Sequence, residues 1–141
     1  WLTAKHSSEG LRGVLADRFG DTTLGDLKHP VLIPAVNYST GKGQFFKTPH
    51  HPSFELDHGL KLVDVAMATA AAPVYFPLAR NDRGVFADGG LVGNSPGLFG
   101  LHEARRYLAT NPQVQVRVLS IGTMTVGTTV RGDANLDRGF G

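Results

Sequence analysis

A chain of 141 residues with 41% hydrophobic and 18% charged residues can bury a core, which excludes a disordered segment. Its formal net charge of +2 leaves too few excess cations for a nucleic-acid footprint despite a sequence pI near 9.2, and no basic run exceeds the Arg105-Arg106 pair. With no cysteine, disulfides, thiolate nucleophiles and cysteine zinc sites are excluded, in keeping with a reducing, cytoplasmic setting.

The opening residues, Trp1 to Gly10, lack the basic-then-apolar layout of a signal peptide. The chain starts without methionine and stops in loop-like Gly139-Phe140-Gly141, so it is expected to be part of a longer polypeptide. Residues 9–19 place Leu11, Val14, Leu15 and Phe19 at helical spacing, and Gly20-Asp21 ends that helix. Thr22-Thr23 should cap a short turn over Leu24–Leu27. Residues 31–38 are apolar and β-rich, with Pro34 suggesting a sheet edge or a bulge. The turn residues 39–43 and a second strand at 44–47 complete a hairpin.

Residues 48–58 are a polar loop, and Leu60 to Ala72 is an alanine-rich helix halted by Pro73. The apolar stretch Val63 to Ala79 is interrupted by Asp64, Pro73 and Pro77, too short and broken to span a bilayer. Gly84–Ala87 is a short strand leading into Asp88-Gly89-Gly90. Ser95 as N-cap and Pro96 at the first helical position predict a helix to about Ala109, with Leu98, Leu101, Ala104, Tyr107 and Leu108 on one side. Residues 114–121 alternate and then turn continuously apolar, as a sheet strand would. No repeat or linker divides the chain, so one domain is expected, of α/β class with helices flanking a sheet of three or four strands.

Chemistry points first to Asp88, at the C-terminal end of a predicted strand, where α/β sheets gather their sites. Gly89 and Gly90 let the chain turn sharply and leave the carboxylate facing a cleft, where it can orient a hydroxyl and take its proton. Asp-Gly is also a common tight-turn dipeptide, so the triplet alone reads as a turn.

Its surroundings add to this. The string ATAAAPVYFP at 68–77, FADGG at 86–90, Asn94-Ser95-Pro96 and LSIGT at 119–123 resembles the patatin-like phospholipase family in wording and order. LIPAVNYSTGKGQFFKT at 32–48 is similar to the strand pair preceding these motifs there, so the resemblance covers roughly residues 11–123. It implies a three-layer α/β/α fold, of which this chain is the C-terminal portion with an incomplete sheet. It also implies hydrolysis of phospholipid or other acyl-ester lipids by a Ser–Asp dyad without histidine, no cofactor, and transient contact with a membrane surface. Asp88 maps onto the family's aspartate, with Gly89 and Gly90 completing its motif and Asn94 matching a downstream Asn-x-Pro. The glycine-rich oxyanion loop and the Gly-x-Ser-x-Gly elbow are then expected before Trp1, leaving this segment alone inactive.

Gly93-Asn94-Ser95-Pro96-Gly97 matches Gly-x-Ser-x-Gly literally. An elbow uses the N–H of the residue after serine as an oxyanion donor, and Pro96 has none; losing one such donor costs about 3 kcal/mol. Ser95 therefore reads as a helix cap, and Asn94 as a residue fixing the loop after Asp88, with a supporting role toward Asp88 as the alternative. Thr40-Gly41-Lys42-Gly43 lacks the glycine at 36 and the Ser/Thr at 43 of a phosphate loop and reads as a hairpin turn. His50, His51, Asp57 and His58 share one loop, but adjacent histidines rarely chelate one ion, so a surface loop tolerant of change at His50 and His51 is expected and no metal. Phe45, Phe46, Tyr75 and Phe76 either pack the core or line an acyl groove. Met124 stands where LSIGT is usually followed by glycine in the family, which bears on the shape of the acyl pocket.

Three functions fit: an acyl hydrolase portion with Asp88 as base, a non-catalytic scaffold fragment, or an enzyme switched by a nucleotide. The last rests on LKLVDVAMATAAAPVYFP, which looks similar to bacterial immunity phospholipases of the patatin type that answer to cyclic nucleotides.

Overall fold

The computed structural model describes residues 3–109, 111 and 113–122. Helix α1, Glu9–Phe19, has the predicted bounds. Leu11, Leu15 and Phe19 pack on the core, whereas Val14, expected on the same stripe, is exposed. A single 3₁₀ turn, Leu24–Asp26, is held by a capping box between Thr23 and Asp26 and drives Leu24 fully inside.

The predicted hairpin is β1, Leu32–Asn37, and β2, Lys42–Lys47, turned at Gly41, whose φ of 67° suits a residue without Cβ. Helix α2, Leu62–Thr69, is shorter than predicted at both ends. Strand β3, Ala79–Asn81, was not expected; β4, Gly84–Ala87, was. All neighbours are antiparallel in the order β2-β1-β4-β3. After β4 come a one-turn helix α3, Gly90–Gly93, then α4, Gly97–Glu103, which runs on as a π-helical turn, Ala104–Leu108.

Pairing register assigns the two faces of this sheet. Ala35, Phe46, Ala79 and Phe86 share one face and are buried in a single cluster with Val63, Val65 and Ala68 of α2. Phe46 and Phe86 meet edge to face there, their ring centroids 5.1 Å apart. Gly43, Phe45 and Lys47 lie on the opposite face, where Val92 of α3 closes over Gly43 and Phe99 of α4 packs on Phe45 at 4.7 Å. Helices thus flank both faces, giving a partial α/β/α arrangement.

Four expectations change. Pro34 makes no bulge and β1 is an inner strand, with Pro34 in register opposite Phe45, yet on its β4 side Pro34 stands at a local edge. Its missing N–H is harmless because it faces the side where β1 pairs with β4 only at Val36 and Asn37. Ser95 is not a cap, since α4 starts at Gly97 and no side-chain cap bond is present. Leu98 is 74% exposed rather than part of a buried stripe. Residues 114–121 form no strand; Val114, Val118, Leu119 and Ile121 are exposed, with no strand alongside among the described residues to give them a ladder. Thr123 and Met124 lie outside the described residues.

Candidate active site around Asp88

Asp88 follows β4 directly and is half-buried. Its position arises from a handover between two partners. Once the β1–β4 ladder ends at Ala87, the Asp88 N–H donates to the Ala71 carbonyl (2.9 Å) and the Gly89 N–H to the Thr69 carbonyl (3.1 Å). Thr69 ends α2, and the last carbonyls of a helix have no partner within it. The turn at Asp88 thereby caps α2 while α2 steers the turn. This also explains why α2 ends before Ala72: the chain must leave the helix for Ala71 to face Asp88.

Gly89 is required for space, not for an unusual backbone. Its φ of −65° and ψ of −21° suit any residue, but a Cβ would stand 2.1 Å from the Pro34 oxygen and 2.9 Å from Thr69 Oγ1. The expectation that glycine serves here for a sharp turn is corrected accordingly. Gly90 donates its N–H to Asp88 Oδ1, an Asx turn that fixes the carboxylate. A Cβ on Gly90 would lie 2.8 Å from that same Oδ1 and 3.2 Å from Asn94 Oδ1, so its absence keeps the carboxylate uncrowded. Asp88 Oδ2 accepts no hydrogen bond from the described residues. Asn94 approaches the same spot from the far side of α3, its amide oxygen nearest Gly90.

Ser95 is exposed, preceded by helix α3 rather than a strand and followed by Pro96, so the Gly93–Gly97 string has no elbow geometry. Lys42 opens β2 beside the Gly41 turn, as the hairpin reading expects.

The histidine loop is not a plain surface loop. The His50 side chain is buried, its Nδ1 2.8 Å from Thr48 Oγ1 and its Nε2 3.0 Å from Glu103 Oε1. Glu103 Oε2 also takes the Lys47 ammonium at 2.9 Å, and that ammonium lies 4.3 Å from the Phe54 ring centroid. Asp57 is buried as well and accepts the Lys47 N–H through Oδ2. His51 bonds Ser53 and meets the Tyr107 ring at a tilt, and His58 bonds the Glu55 carbonyl. The four side chains thus serve different partners. Glu103 was missed because in LHEARR it reads as a solvent-facing helix charge, and nothing local ties it to Lys47 or His50.

Of the proposed groove residues, Phe46 is core, Phe45 and Phe76 are half-buried and Tyr75 is 54% exposed. A cleft of about 320 Å³ runs beside Tyr38, Val74, Phe76 and Leu78, and another of about 240 Å³ lies between Val31, His50 and Glu103. Asp88 lines neither. No helix among the described residues is long and apolar enough to cross a membrane.

Comparison with known proteins adds the following. The family model described as patatin-like phospholipase matches residues 1–98. A cGAMP-activated phospholipase of Pseudomonas aeruginosa (strain BWHPSA011 / Pa011) is 77% identical over 141 residues, which is 100% of this chain and 42% of that protein. A protein of the same name from Vibrio cholerae serotype O1 is 48% identical over 126 residues, 84% of this chain and 36% of its own length. Patatin-11 of Solanum tuberosum is 31% identical over 142 residues, 86% of this chain and 36% of its own. The chain therefore spans well under half the length of these relatives.

Proposed function

Since the chain belongs to the patatin-like phospholipase family, we propose that it supplies the acid of a Ser–Asp dyad that hydrolyses acyl-ester lipids, phospholipids foremost. The observation that carries this reading is the Asp88 carboxylate: one oxygen is fixed by the Gly90 N–H, the other accepts no bond from the described residues, and the turn is pinned on both sides. In this scheme the nucleophile is a serine outside the 141 residues. Asp88 takes the hydroxyl proton as Oγ attacks the ester carbonyl, and the proton passes to the departing alcohol as the C–O bond breaks. Water then attacks the acyl-serine, giving one proton to Asp88, and the fatty acid leaves while serine recovers its proton. The scheme calls on no histidine base: Asp88 alone carries the proton between the serine, the departing alcohol and water.

The test is Asp88→Asn in the full-length protein, assayed on a fluorogenic phospholipid in mixed micelles. The variant should fold, since the amide is nearly isosteric, and lose turnover. Wild-type turnover would end the assignment.

Two relatives of 77% and 48% identity carry the name cGAMP-activated phospholipase, which favours a nucleotide-gated enzyme over a constitutive one. Titrating cGAMP against hydrolysis by the full-length protein should raise the rate from a low base; a flat response would remove the gating.

A further inference from the structure

We infer that Thr69 is a positioning residue for the Asp88 carboxylate. The inference rests on the dyad reading above. Thr69 Oγ1 donates to the Pro34 carbonyl at 2.7 Å, across 35 positions of sequence. A threonine at the end of a helix commonly turns its hydroxyl back to a carbonyl of its own helix. Here the hydroxyl crosses to β1, at the point where Pro34 has lost β4 as a neighbour. The same residue's carbonyl accepts the Gly89 N–H at 3.1 Å. One residue thus binds inner strand β1 through its side chain and the acidic turn through its backbone. Gly89 is enclosed by the result: a Cβ there would stand 2.1 Å from the Pro34 oxygen and 2.9 Å from Thr69 Oγ1.

The consequence for Asp88 is geometric. Its N–H anchor, the Ala71 carbonyl, lies two residues beyond Thr69, and its carboxylate is oriented by Gly90. Loosening Thr69 from β1 lets the end of α2, and with it the whole turn, move relative to the sheet. Displacement of a reacting group by about an ångström costs on the order of a hundredfold in rate. Thr69 itself touches no reacting atom in this scheme.

The experiment compares Thr69→Val and Thr69→Ser in the full-length protein, with Asp88→Asn alongside. Valine keeps the shape of threonine and lacks the donor; serine keeps the donor and loses a methyl. Thr69→Val should lower kcat about ten- to a hundredfold with KM little changed, while Thr69→Ser retains most of kcat. Melting temperatures are recorded for each variant. Wild-type kcat in Thr69→Val, with Asp88→Asn inactive, would overturn the Thr69 role and leave the dyad reading standing. Equal losses in the valine and serine variants, in proportion to lost stability, would also overturn it, since packing alone would then explain them. An active Asp88→Asn variant would overturn the dyad reading and the role of Thr69 with it.

Discussion

Adding one methyl group at Gly89 tests the close approach on which the site is built. In Gly89→Ala the new carbon would stand 2.1 Å from the Pro34 oxygen and 2.7 Å from its carbonyl carbon, against ordinary contact of 3.4 Å or more. Two of the three atoms it meets are backbone of an inner strand, and the third, Thr69 Oγ1, is hydrogen-bonded to that strand, so no flexible side-chain end can retreat. The turn must move out by more than an ångström. Overpacking of this kind costs about 1–3 kcal/mol. Breaking the Gly89–Thr69 and Thr69–Pro34 hydrogen bonds adds about 1 kcal/mol each. The smaller entropy of the unfolded alanine chain returns less than about 1 kcal/mol. A net loss of about 2–5 kcal/mol follows from these terms, read from urea unfolding followed by far-ultraviolet circular dichroism. Gly13→Ala is the matched control: a Cβ there meets nothing within 4 Å on an exposed face of α1, so the same methyl should stabilise by about 0.5–1 kcal/mol. An unchanged or raised midpoint in Gly89→Ala would refute the packing of the turn on Pro34.

Two further outcomes concern the charged groups. Glu103→Ala leaves the Lys47 ammonium and the buried His50 ring without their acceptor; because Lys47 is partly solvated, a loss of about 3 kcal/mol, the lower end for a broken buried pair, is expected in urea unfolding, and a loss below about 1 kcal/mol would show the pair to be solvent-screened. The backbone N–H of Thr23, and then its hydroxyl, hold Asp26 below the ordinary carboxylate range, so this group's contribution is present above the unfolded pKa and is lost as pH falls through the lowered one. Thr23→Val keeps the N–H and removes the hydroxyl, so the Asp26 carboxyl should titrate at higher pH than in the wild type yet still below the ordinary range by carbon-detected magnetic resonance; no movement would assign the whole effect to the backbone.

Much of this was visible in the residues themselves. Helix α1 matched its reading to the residue because its spacing and its glycine stop agree, and the hairpin matched because turn residues sit between two β-rich runs. Both signals are local. Strand β3 went unseen because Ala79–Asn81 is three residues long and follows Pro77, and it exists only by pairing with β4. The apolar run at 114–121 shows the reverse: a strand pattern without a neighbouring strand among the described residues. Within the site, Asp88 and the two glycines were legible as a motif. Thr69 and Pro34 were not, since their meaning lies in a bond spanning 35 positions. Glu103 was hidden for the same reason, its partners Lys47 and His50 lying more than fifty residues away.

The splice between α2 and the chain after β4 ties local breathing to function. Helix ends ordinarily fray at little cost, each exposed carbonyl turning to water. At Thr69 that freedom is withdrawn, because its carbonyl and that of Ala71 are occupied by amides of the acidic turn. The end of the helix and the acid must therefore open together or not at all, and whatever steadies one slows amide exchange in both.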